Sequence, residues 1–356
     1  MERKPLNIGG LRVAVPVIQG GMGVGVSLSR LAGAVASCGG VGVISTAQIG
    51  YRRPDFEKNP LEANLKAVAE EIKKARTLAN GGVLGVNIMV ATKHYAEYVK
   101  AAVEAGIDLI ISGAGLPVDL PGIVGSAGTK LAPIVSTVKS ASVILRLWKR
   151  KYRRMPDLVV IEGPRAGGHL GFSMEQLSVF TPERYEEEIL GILRLVKTEA
   201  DAAGKEIPVV VAGGIYDCRD MDHALLLGAD GVQMGTRFVT TYECDASMAY
   251  KQTYLDAREA DIEIVKSPVG LPGRAIHNRF LETVKDNHGV TGRCYQCLEH
   301  CDRASIPYCI SKALINAVEG RTEEGLLFCG SNAWRASRLE HVADIFRELQ
   351  FGSAES

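Results

Sequence analysis

The 356-residue chain lacks three features that would assign it to a class of protein at once. It has no formal net charge, since 41 Lys and Arg residues balance 41 Asp and Glu residues, so a broad attraction to nucleic acid or to an anionic membrane is not indicated. No apolar run approaches the roughly 18 residues of a membrane span. Residues 1–5 also lack an apolar stretch of the signal-peptide type. We therefore expect a cytoplasmic protein without nucleic-acid or membrane partners.

The eight cysteines of the chain are unevenly placed. In a cytoplasmic protein they are not expected to form disulfides. Three of them are scattered through the first 250 residues, whereas five crowd into the last quarter of the chain. This is the one sharp shift in composition. It predicts a boundary near residue 265, between a first unit of residues 1–265 and a C-terminal extension of residues 266–356.

Eight short apolar runs recur along the first unit, each followed by a glycine or polar turn and then by apolar residues at helical spacing. The runs are apolar throughout, as expected of parallel strands that are buried on both faces. Eight repeats within about 240 residues fit a (β/α)8 TIM barrel better than an open sheet. The predicted strands are Val15–Ile18, Val41–Ser45, Val83–Val90, Leu109–Ser112, Leu131–Ser136, Leu158–Ile161, Pro208–Ala212 and Gly231–Met234.

The segments between these runs predict helices that cross over from one strand to the next. The clearest are Ser27–Ser37, Leu61–Ala75, Tyr95–Ala105, Pro182–Ala203 and Arg219–Leu227, the last with Asp217 as its N-cap. The extension is expected to be partly helical, with a helix over Phe328–Phe346 that packs on the barrel.

The most informative stretch of the chain is residues 159–171, VVIEGPRAGGHLG. A buried strand here runs into a glycine-rich loop with His169 in its middle, and in a barrel of this kind the active site lies at the C-terminal ends of the strands. Glycines allow a backbone to approach a flat ligand closely, and a histidine can move protons near neutral pH. The alternative is a turn with an incidental surface histidine. The glycines at the other strand ends favour the functional interpretation.

Glycines at two adjacent strand ends predict a site for a phosphate group. Gly213 and Gly214 follow the seventh strand, and Gly235 and Thr236 follow the eighth. Backbone N–H groups at these positions can bind a dianionic phosphate. Tight turns alone would also explain one such pair, but the paired occurrence favours a phosphate-bearing ligand. Residues 20–22 (Gly20, Gly21 and Met22) would approach the same ligand from the first strand.

Six stretches of the chain resemble the FMN-dependent nitronate monooxygenases and the related flavin-dependent enoyl-acyl-carrier-protein reductase II. They run in order across about 260 residues and are specific to the superfamily rather than to one member. The matching stretches are Pro16–Gly23, Gly85–Met89, Glu162–Gly171, Val211–Ile215, Gly228–Phe238 and Gly273–Asn278.

The resemblance implies that FMN lies across the mouth of the barrel. Its phosphate would be held by Gly213, Gly214, Gly235 and Thr236. Gly21 and Met22 would lie against the isoalloxazine ring. Asn87 and Gln233 would reach the polar edge of the flavin. His169 matches the family histidine beside the flavin, a candidate acid–base or substrate-orienting group. The full cofactor-binding set expected from the motifs is Gly20, Gly21, Met22, Asn87, Glu162, Gly167, Gly168, Gly213, Gly214, Gln233, Gly235 and Thr236.

The motifs leave two enzymatic activities open. The first is oxidation of alkyl nitronates through flavin reduction, and the second is reduction of an enoyl thioester with NAD(P)H as co-substrate. The loop after Ser112 is more similar to the reductases, whereas Pro164 is more similar to the monooxygenases. We expect nitronate oxidation, with enoyl reduction as the alternative. The alternative that is not an enzyme is a flavin or iron–sulfur electron carrier. Formation of a homodimer stays open.

Four cysteines of the extension form a compact series. Cys294, Cys297, Cys301 and Cys309 lie within 16 residues, at spacings of two, three and seven intervening residues. A zinc ribbon more often shows two Cys-x-x-Cys pairs with a longer spacer. The spacing is closer to that of iron–sulfur ligands. An iron–sulfur cluster is therefore predicted, with zinc and reduced structural thiols as the alternatives.

Overall fold

A computed structural model describes residues 3–285, 289–290 and 292–352 of the chain. The eight predicted strands close into one parallel barrel in sequence order, and the eighth strand returns to the first with Val232 opposite Val17. The barrel strands are Val17–Gln19, Val41–Ser45, Val83–Met89, Leu109–Gly113, Lys130–Val135, Val159–Glu162, Val209–Ala212 and Gly231–Met234. The predicted (β/α)8 barrel is thus confirmed.

Helices surround the barrel, and each predicted crossover helix is present. Capping defines their ends: the Thr181 side chain accepts from the Arg184 amide, and Asp217 accepts from the amides of Arg219 and Asp220. The α-helices are Ser29–Ser37, Pro60–Leu78, Tyr95–Glu104, Leu120–Val124, Val138–Tyr152, Met174–Val179, Pro182–Ala203, Cys218–Leu226, Thr236–Val239, Met248–Asp256, Arg279–Val284, Ile310–Val318 and Val342–Phe351, and the short 3₁₀ helices are Glu259–Asp261, Thr322–Glu324 and Ala333–Arg335. Among the helices of the described residues, none is both long and apolar enough to cross a membrane.

An N-terminal hairpin packs on the interior of the barrel. Its strands, Leu6–Ile8 and Leu11–Val13, pair antiparallel. Leu6 and Ile8 belong to the same buried cluster as the barrel residues Val43 and Val160. The hairpin lies at the N-terminal ends of the strands, so the opposite end of the barrel remains available for a site.

A second small sheet joins the barrel to the extension. Ile262–Lys266 pairs antiparallel with Pro272–Ile276, which in turn pairs with the two-residue strand Gly168–His169. Position 265 therefore lies inside a strand, and Leu327 of the extension belongs to the main buried core of the barrel. The division of the chain at residue 265 stays a prediction.

The predicted helix over Phe328–Phe346 is wrong for most of its length. Phe328 bridges to Ala275 like a strand residue, and only Ala333–Arg335 forms a single 3₁₀ turn before the true helix, Val342–Phe351. Apolar side chains in the segment pack against the barrel one by one. Their spacing in the sequence therefore resembles that of a helix, although no helix is formed over most of the segment. The expected packing on the barrel is present: Phe346 contacts the ring of Phe238 at a centroid distance of 6.1 Å.

Candidate active site

One cavity at the C-terminal ends of the barrel strands brings the predicted site residues together. It has a volume of about 200 Å³, and every predicted site residue apart from the cysteines lines it. These residues are Gly20, Gly21, Met22, Asn87, Glu162, Gly167, Gly168, His169, Gly213, Gly214, Gln233, Gly235 and Thr236. The location agrees with the rule that barrel active sites form at this end of the strands.

Glycines shape the wall of this cavity. Gly213 has a φ of +97°, and a Cβ there would lie 3.0 Å from the backbone nitrogen of Ala166. At Gly21 a Cβ would lie 2.3 Å from the Cβ of Asn87. Larger residues would therefore require the backbone to move. These two glycines leave the backbone exposed to a ligand and fit a flat, phosphate-bearing group.

The side chain of Gln233 offers an unused hydrogen-bond acceptor. Its Oε1 atom is buried and has no hydrogen-bond partner within the described part of the chain. A buried acceptor without a partner costs about 1–3 kcal/mol. The N–H of a bound ligand would satisfy it, and Gln233 lines the cavity. This atom fits a cavity that holds a polar ligand.

His169 is held at the cavity wall by two contacts. Its Nε2 lies 2.8 Å from the Oγ of Ser267, and its ring packs edge-on against Phe328 with centroids 4.9 Å apart. Burial lowers the pKa of His169 to about 4, because a charged imidazolium loses its hydration there. The imidazole is therefore neutral at pH 7 and can accept a proton or orient a substrate.

Glu162 is the last residue of the sixth barrel strand, seven positions before His169, and it lines the same cavity. The Tyr185 hydroxyl donates to the Glu162 backbone carbonyl at 3.0 Å. Burial raises the pKa of the Glu162 carboxyl to about 7. The cavity thus combines a neutral imidazole with a carboxyl that titrates near neutrality. Titratable groups whose pKa values are displaced by burial are typical of acid–base sites.

A second, larger cavity continues from the first. It has a volume of about 1020 Å³, and both Glu162 and His169 line it together with the main cavity. Lys266 and Ser267 of the small sheet region and His300 from the extension also line it. The predicted acid–base residue therefore faces a space that can hold a substrate beside the cofactor cavity.

The segment Phe328–Asn332 closes the glycine end of the main cavity, and no motif in the sequence indicated it. Asn332 Nδ2 donates to the Gly214 carbonyl at 2.7 Å, and Arg165 Nη2 donates to Asn332 Oδ1 at 2.9 Å. The Gly330 amide donates to Thr236 Oγ1 at 2.8 Å. These contacts join residues more than 90 positions apart, so only the fold reveals them.

The four clustered cysteines lie together, apart from the main cavity. Cys294, Cys297, Cys301 and Cys309 line one cavity of about 170 Å³, and all four are free thiols. Within the described ranges, no group of three or more His, Cys, Asp or Glu side chains is arranged to hold a metal ion. The structure thus confirms the clustering, whereas the metal centre stays a prediction.

Comparison with known proteins agrees with this site. A family model described as nitronate monooxygenase matches residues 4–351. A probable nitronate monooxygenase of Bacillus subtilis is 30% identical over 293 residues, which cover 75% of this chain and 78% of the relative. A probable nitronate monooxygenase of Staphylococcus saprophyticus is 27% identical over 297 residues, covering 78% of this chain and 79% of the relative.

Solved structures are similar over nearly the whole chain. A mutant of FabK from Thermotoga maritima has a TM-score of 0.68 at 25% identity, with 94% of this chain and 90% of that chain covered. A nitroalkane oxidase from Streptomyces ansochromogenes has a TM-score of 0.66 at 23% identity, with 94% of each chain covered, and this likeness supports the fold. The family match extends from the N-terminal hairpin to the last helix and includes both cavities. The chain therefore belongs to the nitronate monooxygenase family of flavin-dependent oxidoreductases.

Proposed function

We propose that this protein binds FMN across the barrel mouth and oxidises alkyl nitronates. The observation that carries the proposal is the unpartnered Oε1 of Gln233, buried in a glycine-walled cavity. The resemblance to family motifs assigns the phosphate to Gly213, Gly214, Gly235 and Thr236. The glycine conformations and the contacts of Asn332 and Gly330 support that end as a preorganised cradle.

The ring of the cofactor would occupy the other end of the same cavity. Gly21 and Met22 would lie against the isoalloxazine, with Gly20 next to them on the first strand. Asn87 and Gln233 would hydrogen-bond to its polar edge, and the loop residues Gly167 and Gly168 would leave room beside it. All of these residues line the cavity. Bound FMN supplies a two-electron acceptor, which no side chain of the protein can provide.

The residues of the chain then have to hold the substrate and control protons. The neutral imidazole of His169 can orient a nitronate oxygen through an N–H group, or accept the carbon-bound proton of a neutral nitroalkane. Ser267 fixes the ring through the Nε2 contact. Glu162 adds a second titratable group whose pKa is close to neutrality. Phe328 packs edge-on against the imidazole and helps to hold it in place.

Anaerobic mixing of the purified full-length protein with an alkyl nitronate tests the proposal. The protein should be yellow, release FMN on denaturation, and lose its flavin absorbance when the nitronate is added. Colourless protein that cannot be reconstituted with FMN would contradict cofactor binding. Retained FMN that is not bleached by any nitronate would contradict the proposed reaction.

The size of the second cavity favours enoyl-thioester reduction as the other candidate function. About 1020 Å³ next to His169 could accommodate a nicotinamide nucleotide or a long thioester, and the chain is similar in fold and sequence to FabK. NAD(P)H should then bleach the flavin anaerobically, and an enoyl thioester should restore its absorbance. A pure electron carrier would need no substrate-sized cavity, so this space argues for an enzyme acting on a small molecule.

A further inference from the structure

We propose that Cys294, Cys297, Cys301 and Cys309 bind an iron–sulfur cluster next to the flavin cavity. The reaction proposed above does not require such a centre. The four thiols come from one loop and the residue before helix Ile310–Val318, yet they line a single small cavity. Four cysteine thiolates are the usual ligands of such clusters.

The backbone between the first two cysteines has a conformation that suits ligation. Gln296 adopts a left-handed φ of +50°, which is uncommon for a residue other than glycine. Its amide donates to the Sγ atom of Cys294 at 3.4 Å. Hydrogen bonds to the sulfur ligands stabilise clusters and adjust their reduction potentials. The Gln296 amide would donate to the same sulfur in a bound cluster.

The charges around the cavity favour an anionic centre. Its lining includes three basic residues, Lys93, Arg293 and Arg303. Among the described residues that line it, one is acidic, Glu299. Crowded thiolates are unfavourable unless a metal centre binds them, because the metal compensates their repulsion.

The space that the thiols line fits a cluster better than a single zinc ion. Zinc binds four ligands tetrahedrally with Zn–S distances of about 2.3 Å, which places the sulfurs about 3.8 Å apart. Within the described ranges no group of three or more His, Cys, Asp or Glu side chains is arranged to hold a metal ion, so either centre would require the thiol side chains to turn towards it. In an iron–sulfur cluster the thiolates bind two or more iron atoms, so the set of sulfurs stands farther apart around a central space. The cavity of about 170 Å³ between the cysteines provides that space.

The cysteine loop is attached directly to the mouth of the barrel. The Lys93 amide donates to the Cys297 carbonyl at 3.1 Å, and the Glu299 amide donates to the Ala91 carbonyl at 3.0 Å. Leu314, five residues after Cys309 on the following helix, lines the main cavity. Five helical residues span about 7.5 Å. The cluster would therefore lie close to the flavin.

Metal analysis of anaerobically purified full-length protein tests this inference. We expect iron and acid-labile sulfide in equal amounts, about two to four of each per chain, and an electron paramagnetic resonance signal after chemical reduction. Zinc at one per chain without iron would overturn the cluster. Absence of both iron and zinc after anaerobic reconstitution with iron and sulfide would overturn it as well.

Serine variants identify the ligands. Cys297→Ser and the exposed Cys294→Ser should each reduce bound iron at least 10-fold, whereas Cys38→Ser, at the C-terminal end of helix Ser29–Ser37 and outside the cysteine cavity, should leave it unchanged. FMN released on denaturation is measured in every variant. Loss of iron with retained FMN supports the cluster independently of the proposed flavin function. Retention of iron in both ligand variants would contradict it, and the exposed Cys294 keeps the test valid if Cys297→Ser does not fold.

Discussion

The Nε2 atom of His169 lies 2.8 Å from the Oγ of Ser267, although 98 residues separate them in the chain. The pairing of Gly273 with His169 brings the two segments together. Ser267 Oγ also accepts from the Val269 amide at 3.3 Å, which fixes the hydroxyl. The candidate acid–base histidine of the barrel is thus oriented by a residue of the region that follows the eighth strand.

Replacement of His169 by Asn tests its role in catalysis. Acid–base assistance contributes roughly 100-fold to 10,000-fold to a rate, so kcat should fall at least 100-fold while the FMN content stays at that of the unmodified protein. Both quantities are measured on the same preparation. Loss of FMN, or of the folded state, would instead assign His169 a structural role.

Ser267→Ala should weaken catalysis through the orientation of His169. Loss of one hydrogen bond of about 1–2 kcal/mol corresponds to a decrease of about 5-fold to 30-fold in kcat. FMN binding should not change, because Ser267 does not line the main cavity. Ser305→Ala is the matched control: Ser305 lines the same second cavity, but its hydroxyl donates to the Asp302 carbonyl. Equal losses in the two variants would contradict a specific role for Ser267.

The buried imidazole also predicts a pH dependence of stability for the flavin-free protein. The pKa of His169 is about 4 in the folded state, against about 6.5 in an unfolded chain. The unfolded state therefore binds a proton at this residue first, and the contribution of His169 to stability should fall as the pH decreases from about 6.5 to 4. The expected loss is about 3 kcal/mol at most, since one pKa unit corresponds to about 1.36 kcal/mol. Burial of Glu162, with a pKa of about 7, acts in the opposite direction, so the measurement is the difference in unfolding free energy between the unmodified protein and His169→Gln, which should change by that amount between pH 7 and pH 4.

The barrel and its cavity could be predicted from the sequence because their signals are local. Each strand is a continuous apolar run such as Val41–Ser45, and the closed topology then places the following glycines at one end. The pairing of Ser267 with His169 could not be predicted, because short antiparallel segments carry no periodic pattern. The N-terminal hairpin was not predicted either, although its turn at Gly9 and Gly10, with φ values of +55° and +96°, is a Gly-Gly pair of the kind typical of hairpin turns.

Replacement of Gln233 by Met should change stability and cofactor binding in opposite directions. Removal of the unpartnered buried Oε1 should stabilise the flavin-free protein by about 1–2 kcal/mol, whereas FMN should bind about 10-fold more weakly. Gln19→Met is the control, because Gln19 Oε1 accepts from the Val43 amide at 3.0 Å within the protein. That variant should be less stable without FMN. If Gln233→Met bound FMN as tightly as the unmodified protein, Gln233 would not contact the flavin.

Asn332→Ala should weaken binding of the FMN phosphate without affecting the chemical step. Asn332 holds the Gly214 carbonyl and is itself held by Arg165, so its loss should loosen the turn that we assign to the phosphate. We expect the Kd for FMN to rise about 10-fold, equivalent to about 1.4 kcal/mol, while kcat at saturating FMN stays within about 2-fold. Asn316→Ala is the control, since Asn316 Nδ2 donates to the Glu324 carbonyl and Asn316 does not line the cavity. A large decrease in kcat at saturating FMN would show that the segment acts on the ring end of the site rather than on the phosphate.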